Sequence, residues 1–147
     1  MSSQTSTSAA TSPSWKSRIA CLFYEVLVVL AIIIVGLIIP YTLLGAAIGI
    51  VAGSRLLLAH LFLILLLYFS WQWLHGGQTL AMKTWRIKLV SADGKAIRPA
   101  QALLRYAAAW LGTIFFGIGF LWAAIDQEGR YLHDRLAGTK LDKITPP

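Results

Sequence analysis

Apolar residues form three long runs in this chain, separated by shorter polar stretches. The runs cover residues 19–39, 56–74 and 106–125, and the only Asp, Glu, Lys or Arg inside them is Glu25. A helix of about twenty apolar residues is long enough to cross the ~30 Å hydrocarbon core of a bilayer. The pattern therefore predicts an all-α integral membrane bundle built on three hydrophobic segments.

The third run leaves two topologies open. If residues 106–125 cross the membrane fully, the basic C-terminal tail lies opposite the other cations, against the positive-inside rule. Gly112, Gly117 and Gly119 instead favour a re-entrant helical hairpin that returns the tail to the cytoplasm. Such broken helices are tolerated at membrane depth when protein covers them. We favour the returning hairpin.

Between the second and third runs, apolar residues recur at every second position. Apolar and polar residues alternate over 84–90, which is typical of a half-buried strand, and Asp93-Gly94 is a hairpin turn signal. We expect a small cytoplasmic β-hairpin over about 84–97. A strand over 139–144 is an alternative partner for the first strand, provided that the tail lies on the same side.

The connection between the first two runs carries three regularly spaced glycines. Gly45, Gly49 and Gly53 are four residues apart, and in a helix they would share one face and allow another helix to approach closely. We expect a short helix over 40–54 that packs on the outer ends of the spans. An oligomer contact is the alternative.

Charge distribution predicts the orientation and the surroundings. The chain is 57% apolar and 13% charged, with a net charge of +7, and its cations flank the apolar runs. That arrangement suits anionic lipids at the cytoplasmic face and excludes nucleic acid as the expected partner. Residues 75–100 and the N-terminus are then cytoplasmic, with 40–54 outside. Residues 1–14 read as a disordered Ser/Thr-rich tail, and 15–147 as one membrane domain.

Two charged residues near the start of the chain lie on one helical face. Arg18 and Glu25 are seven residues apart, nearly two helical turns, which puts Glu25 roughly 10 Å deeper. A carboxylate at that depth is costly unless it is paired or protonated. The first interpretation is a buried ion pair with Arg18 or Arg105 that fixes helix register. The second is a protonatable or cation-binding carboxylate.

Other polar residues are weaker candidates. Arg55 and His60 lie about 140° apart around the second run, so they form no common site, and His60 is expected to hydrogen-bond within the packing. The polar tail is expected to form a salt-bridged turn ended by Gly138 that reaches Arg98 or Arg105. No catalytic, cofactor or metal site is expected. The supporting polar residues of this tail are Asp126, His133, Asp134 and Arg135.

Several motifs together resemble one known family. They are an Arg with an acidic residue seven positions later, Gly77-Gln78-Thr79-Leu80, Asp93-Gly94, Arg105, and Leu132-His133-Asp134-Arg135-Leu136-Ala137-Gly138-Thr139. From residue 15 to about 144 the chain resembles the RDD (Arg-Asp-Asp) family of membrane proteins. The resemblance implies signature roles for Arg18, Glu25 and Asp134, although Glu25 stands where Asp is usual and Ala81 where Gly is common. It also implies a bacterial-type inner membrane.

Two functions follow as hypotheses. The first is a non-enzymatic membrane module, or partner of a larger complex, that sits among anionic lipids and binds a second copy or another membrane protein. The alternative is an oligomeric cation/proton exchanger that uses Glu25, because this carboxylate lies beneath Arg18 on the same helical face. The resemblance also brings with it an ion-exchange role proposed for some family members.

Overall fold

The computed structural model describes residues 13–49, 51–114 and 130–144. Its helices are α1 (Trp15–Ile33), α2 (Ile39–Ile48), α3 (Ser54–Leu74), α4 (Leu80–Thr84), α5 (Pro99–Ile114) and α6 (Leu132–Ala137), and its strands are β1 (Ile87–Ser91) and β2 (Thr139–Lys143). A π-helical turn, Ile34–Ile38, joins α1 to α2. The fold is therefore mostly helical, with one small two-stranded antiparallel sheet.

The first helix is continuous from Trp15 to Ile48. Its 34 residues extend about 51 Å at 1.5 Å per residue. Pro40 has no N–H, and its ring would clash with the carbonyl four residues earlier in a regular α-helix. The π turn directly before Pro40 widens the hydrogen-bond ladder, and the helix continues without a break.

The prediction of a separate short helix over 40–54 is therefore wrong. Most of that segment is the end of the first helix, which stops at Gly49 because this glycine adopts a left-handed conformation with φ 66°. Gly53 is already the residue before α3. The three glycines do not share one helical face, so the expected close-approach surface is not formed.

Within the described residues, two helices are long and apolar enough to cross a membrane: the first helix and α3. They match the first two predicted runs. The third run begins within α5, which starts at Pro99 and is described to Ile114. The rest of that run, with its choice between crossing and returning, and Asp126 lie outside the described residues.

The sheet joins two segments that are distant in sequence. β1 pairs antiparallel with β2, with Ile87 opposite Lys143 and Ser91 opposite Thr139. The strand was predicted correctly, but the local hairpin was not. The chain does turn at Gly94, yet Pro99 opens α5 a few residues later, which leaves too little chain for a returning strand. The alternative tail strand is the one that pairs.

A third backbone segment runs beside the free edge of β1. Gly77 accepts a hydrogen bond from the Leu89 N–H at 2.7 Å, and the Gln78 side chain donates to the Ile87 carbonyl at 2.8 Å. Gly77 has φ 70°, and a Cβ there would lie 2.5 Å from the Leu89 carbonyl oxygen. The glycine of the Gly-Gln-Thr-Leu motif is therefore required for this close approach.

Most buried residues cluster at one end of the molecule, where the sheet, α4 and α6 meet the ends of α1, α3 and α5. We call this the sheet end. The stretch from Ile34 to Gly53, at the other end of the long helices, is the far end. The buried apolar residues of the sheet end include Trp73, Ala81, Ile87, Leu89, Ala102 and Tyr106.

Candidate functional site

A buried ion pair lies at the centre of the sheet end. The Arg105 Nε donates to Asp134 Oδ1 at 2.6 Å, and both side chains are almost fully buried. Thr139, at the start of β2, donates its hydroxyl to the same carboxylate oxygen at 3.0 Å. The Arg105 guanidinium also lies over the Trp73 ring, 4.4 Å from its centroid. The pair thus joins α5, α6, β2 and α3.

Local sequence explains why α6 presents Asp134 at this point. The helix is six residues long and ends at Gly138, which has φ 64°. Asp134 lies in its first turn, where a negative charge is favoured by the free backbone N–H groups. The salt-bridged turn predicted for this segment is confirmed, and of the two arginines considered, Arg105 is its partner.

Gln101 holds the same region together and was missed by the sequence analysis. Its Oε1 accepts from the Arg98 N–H at 3.1 Å, while its Nε2 donates to Ser91 Oγ at 3.0 Å and to the Gly138 carbonyl at 3.2 Å. A Gln at the third position of a helix commonly reaches back to the capping residue. The sequence Arg98-Pro99-Ala100-Gln101 was the signal that could have predicted this role of Gln101.

His133 extends the cluster towards the first helix. Its Nε2 lies 3.4 Å from Arg105 Nη2, and its ring stacks on Tyr131 with centroids 5.3 Å apart. The Arg18 guanidinium lies 5.9 Å from the centre of the Tyr131 ring, and its Nε donates to the Pro13 carbonyl at 3.1 Å. Arg18 and Arg105 are thereby connected through the Tyr131–His133 pair.

Two buried ionisable groups of α6, His133 and Asp134, are held in the forms that suit this pairing. Burial, reinforced by the Arg105 cation, lowers the pKa of His133 to about 4, so the imidazole is neutral and can accept from Arg105. Burial alone would raise the pKa of the Asp134 carboxyl. The Arg105 guanidinium, His133 and the hydrogen bonds from Arg105 and Thr139 together outweigh burial and hold that pKa below its usual value. The pair is ionised at neutral pH.

Glu25 is bound by hydroxyl groups. Thr79 donates to Glu25 Oε2, and the Tyr68 hydroxyl donates to Oε1 at 3.4 Å. Thr79 is fully buried, and its side chain also caps α4 by accepting from the Met82 N–H. Among the described residues, the hydrogen bonds to Glu25 therefore come from hydroxyls on α3 and the start of α4, whereas the predicted partners were the guanidiniums of Arg18 and Arg105.

The weaker candidates lie apart from this cluster. His60 Nδ1 is 3.1 Å from the Tyr41 hydroxyl, which links α3 to α2 in the packing role expected for it. Arg55 lies in the first turn of α3, eighteen residues from Trp73, or about 27 Å along the helix. Arg135 is on the exposed side of α6.

The cluster forms one end of a cavity of about 520 Å³ that sequence analysis did not foresee. Residues of α1 and α5 line two sides of it, and α3, which packs against both helices, lines the third. No group of three or more metal-ligating side chains is found within the part of the chain that the structure describes. The charged and polar residues at that end are Arg18, Glu25, Thr79, Arg105, Tyr131 and His133.

These features define a class of protein: a small helical membrane protein whose buried Arg–Asp pair fastens membrane-length helices to a two-stranded sheet. The family model described as the RDD family matches residues 12–138. The chain belongs to the RDD family, which confirms the resemblance drawn from its motifs. Comparison with the curated proteins and with the solved structures found no match.

Proposed function

We propose that this chain is a non-enzymatic module of a bacterial-type inner membrane that works as a partner in a larger membrane complex. The proposal rests on the hydrogen bonds of the buried polar groups, which join them to other parts of the protein. Asp134 is bound by Arg105 and Thr139, and Glu25 by Thr79 and Tyr68. Groups tied together in this way fix the helices against the sheet, which is a structural role.

The charges at the sheet end support a cytoplasmic placement of the sheet and the N-terminus. Basic residues close to membrane spans favour the cytoplasm, and each adds about 1 kcal/mol of attraction to an anionic lipid surface. The protein is then multi-pass, with its far end outside. The exposed cations at the sheet end include Lys83, Arg86, Lys88, Lys95 and Arg98.

Strand pairing supports a returning third segment. β2 is hydrogen-bonded to β1, so both strands lie on one side of the membrane. α5 starts beside the sheet, and α6 brings the chain back to it. We therefore infer that the start of α5, α6 and the sheet all lie on the same side of the membrane, as the returning topology requires.

Cysteine labelling tests this orientation. In a Cys21→Ser background, Val51→Cys places a thiol at the far end and Asp93→Cys places one in the β1–α5 turn; both positions are exposed. A membrane-impermeant maleimide should label Val51→Cys in intact cells and Asp93→Cys only after lysis. The reverse pattern would contradict the orientation.

The proposed partner is another membrane protein or a second copy of this chain. The first helix shows an apolar surface over a length well beyond the ~30 Å hydrocarbon core. Purification in mild detergent should give an assembly heavier than the 16.1 kDa chain. A photo-reactive residue at Val35 on this helix should form a discrete protein adduct, and one at the similarly exposed Leu67 on α3 is the control. A monomer without adducts would overturn the proposal.

A second candidate is an oligomeric cation/proton exchanger. Glu25 lines the cavity, and a carboxylate bound by neutral hydroxyls can exchange a proton for a cation more readily than one neutralised by a guanidinium. Protein reconstituted in liposomes should then move Na⁺ or K⁺ in response to a pH gradient. Glu25→Gln should abolish that flux, and Asp142→Asn, on the sheet, should not. Absence of flux in the wild type would reject this candidate.

A further inference from the structure

The π turn of the first helix leaves one backbone carbonyl without its donor. In a π turn each N–H bonds to the carbonyl five residues earlier, and the Ile39 N–H donates to the Ile34 carbonyl. The next acceptor in this ladder is the Val35 carbonyl, and its donor would be the N–H of residue 40. Residue 40 is proline, which has no N–H. The Val35 carbonyl is therefore left out of the hydrogen-bond ladder of the helix.

Within the part of the chain that the structure describes, no side chain supplies the missing donor. The Thr42 hydroxyl, just beyond the proline, donates to the carbonyls of Ile38 and Ile39, at 2.9 Å each. The unpaired carbonyl lies on an exposed side of the helix, since residues three or four positions apart share one face. The exposed residues of this side are Val35, Ile38, Ile39 and Leu43.

The unpaired carbonyl lies near the middle of the membrane. Gly36, the next residue, packs so closely on Ile64 that a Cβ would collide with its side chain. Ile64 is the central residue of α3, which extends from Ser54 to Leu74, so each end of α3 is about 15 Å away. Because α3 has the length of the hydrocarbon core, water and lipid head groups are also about 15 Å away. Acyl chains have no hydrogen-bond donors, and an unpaired carbonyl at this depth is unfavourable.

We propose that the exposed side of the π turn binds a transmembrane helix of another membrane protein, and that a side chain of this helix donates a hydrogen bond to the Val35 carbonyl. The inference rests on the proposed partnership and adds the contact surface and the chemistry of the partner. The donor is the hydroxyl, amide or indole N–H of a Ser, Thr, Asn, Gln, Tyr or Trp near the middle of an apolar segment. Such polar side chains bind helices to one another within membranes.

A second copy of this chain fits the surface less well, because two of its hydroxyls near this depth are already bound. The Tyr68 hydroxyl, about one turn from the centre of α3, donates to Glu25. The Tyr106 hydroxyl donates at 2.7 Å to the carbonyl of Phe62, which is also close to that centre. If a second copy used either hydroxyl, it would break a hydrogen bond of its own. A helix with an unengaged donor is the better partner.

Photo-crosslinking in native membranes tests the chemistry of the partner. The full chain carries a photo-reactive residue in place of Val35, and the cross-linked peptides are sequenced by mass spectrometry. We expect an adduct with an apolar segment of another protein that has a donor side chain within one helical turn of the linked residue. Replacement of that donor by Val should lower the yield of adduct at least tenfold. Adducts only with lipid, with a second copy, within the same chain or with a segment that lacks a donor would each overturn the assignment.

Isotope labelling observes the carbonyl directly. Val35-Gly36 is the only Val-Gly pair in the sequence, so a chain labelled with carbonyl-¹³C valine and ¹⁵N glycine gives a single correlation between the two labels in an NMR spectrum. Hydrogen bonding moves a carbonyl carbon resonance to higher frequency. We expect this shift in the purified complex relative to the isolated chain in the same detergent. A complex that forms without the shift would overturn the inference and leave the proposed partnership standing.

Pro40→Ala supplies the missing donor from within the helix. The isolated variant should already show the Val35 resonance at its hydrogen-bonded frequency, and its yield of partner adduct should fall at least tenfold. Leu67→Ala, at an exposed position on α3, is the control and should leave both measurements unchanged. An undiminished adduct from Pro40→Ala would contradict the inference. If this variant does not fold, the comparison of wild-type complex and isolated chain still decides the outcome.

Discussion

The sheet end and the far end of this molecule differ in how their side chains are packed. At the sheet end, Thr79 is 0%, Leu89 1% and Asp134 1% exposed. At the far end, no residue of the π turn or of α2 is buried. One helix therefore begins in a tightly packed polar and apolar core and continues into a region with little tertiary packing.

The difference follows from what each end must satisfy. Polar side chains and strand edges need protein partners when they are buried, and this requires specific packing. A helix within lipid already satisfies its backbone hydrogen bonds internally, and its apolar side chains need no protein partner. Stability should therefore be concentrated at the sheet end, and substitutions should have strongly unequal effects along the first helix and α3.

The largest effect is expected for the buried ion pair. Asp134→Ala leaves the Arg105 guanidinium without its carboxylate in a buried site, which should cost about 3–5 kcal/mol of unfolding free energy. Thermal unfolding in detergent should show a markedly lower midpoint. Asp142→Asn is the control, because its 3.9 Å contact with Lys140 is partly exposed and should contribute less than about 1 kcal/mol. Equal midpoints for the two variants would contradict the prediction.

The next largest effect is a pH dependence caused by His133. Its pKa is about 4 in the folded protein, against 6.5 for an ordinary histidine. Between these values the unfolded chain binds a proton that the folded protein does not, so stability falls as pH decreases. The difference should reach about 3 kcal/mol at pH 4. Above pH 6.5 the contribution of this residue should be constant.

His133→Gln separates this effect from other titrations. The variant cannot be protonated, so its unfolding midpoint should depend less on pH between 6.5 and 4 than that of the wild type. Asp134 does not interfere, because its pKa lies below its ordinary value of 3.8. Parallel pH profiles of the two proteins would show that His133 is not neutral in the fold.

A smaller effect is expected at Gly77. Alanine there would adopt a left-handed backbone and place its Cβ 2.5 Å from the Leu89 carbonyl oxygen, which should cost about 2 kcal/mol. Gly76→Ala is the matched control, since a Cβ at that position meets nothing within 4 Å. Guanidine or thermal unfolding of the two variants provides the comparison. Similar stabilities would mean that Gly77 does not approach β1 as closely as described.

Local patterns predicted the helices well and the contacts between distant segments poorly. The second apolar run predicted the extent of α3 closely. The similarity of the Leu132–Thr139 segment to the RDD family identified Asp134 as a candidate residue. The strand partner of β1 could not be fixed, because 47 residues (92–138) separate β1 from β2 and pairing depends on where the tail returns. Likewise, the Thr79 hydroxyl meets Glu25 only after α1 and α4 pack together, and no spacing in the sequence encodes that distance.

The prediction for the far end was wrong for a different reason. The segment over 40–54, with its glycines at 45, 49 and 53, predicts a short helix separate from the first apolar run. The helix instead passes Pro40 because the π turn removes the conflict with the preceding carbonyls. The adjustment involves the five residues of Ile34–Ile38, and apolar periodicity does not report such a change in the backbone.

The smallest effect is expected at the far end, and two neighbouring residues allow it to be measured within one turn. Val35 is 65% exposed, so Val35→Ala should change stability by less than about 0.5 kcal/mol. Gly36 faces α3, where a Cβ would collide with the Ile64 side chain, so Gly36→Ala should cost about 1 kcal/mol. If Val35→Ala in purified assemblies instead costs more than Gly36→Ala, the exposed side of the first helix is packed against another protein. That result would contradict the difference in packing between the sheet end and the far end, and it would support the proposed complex.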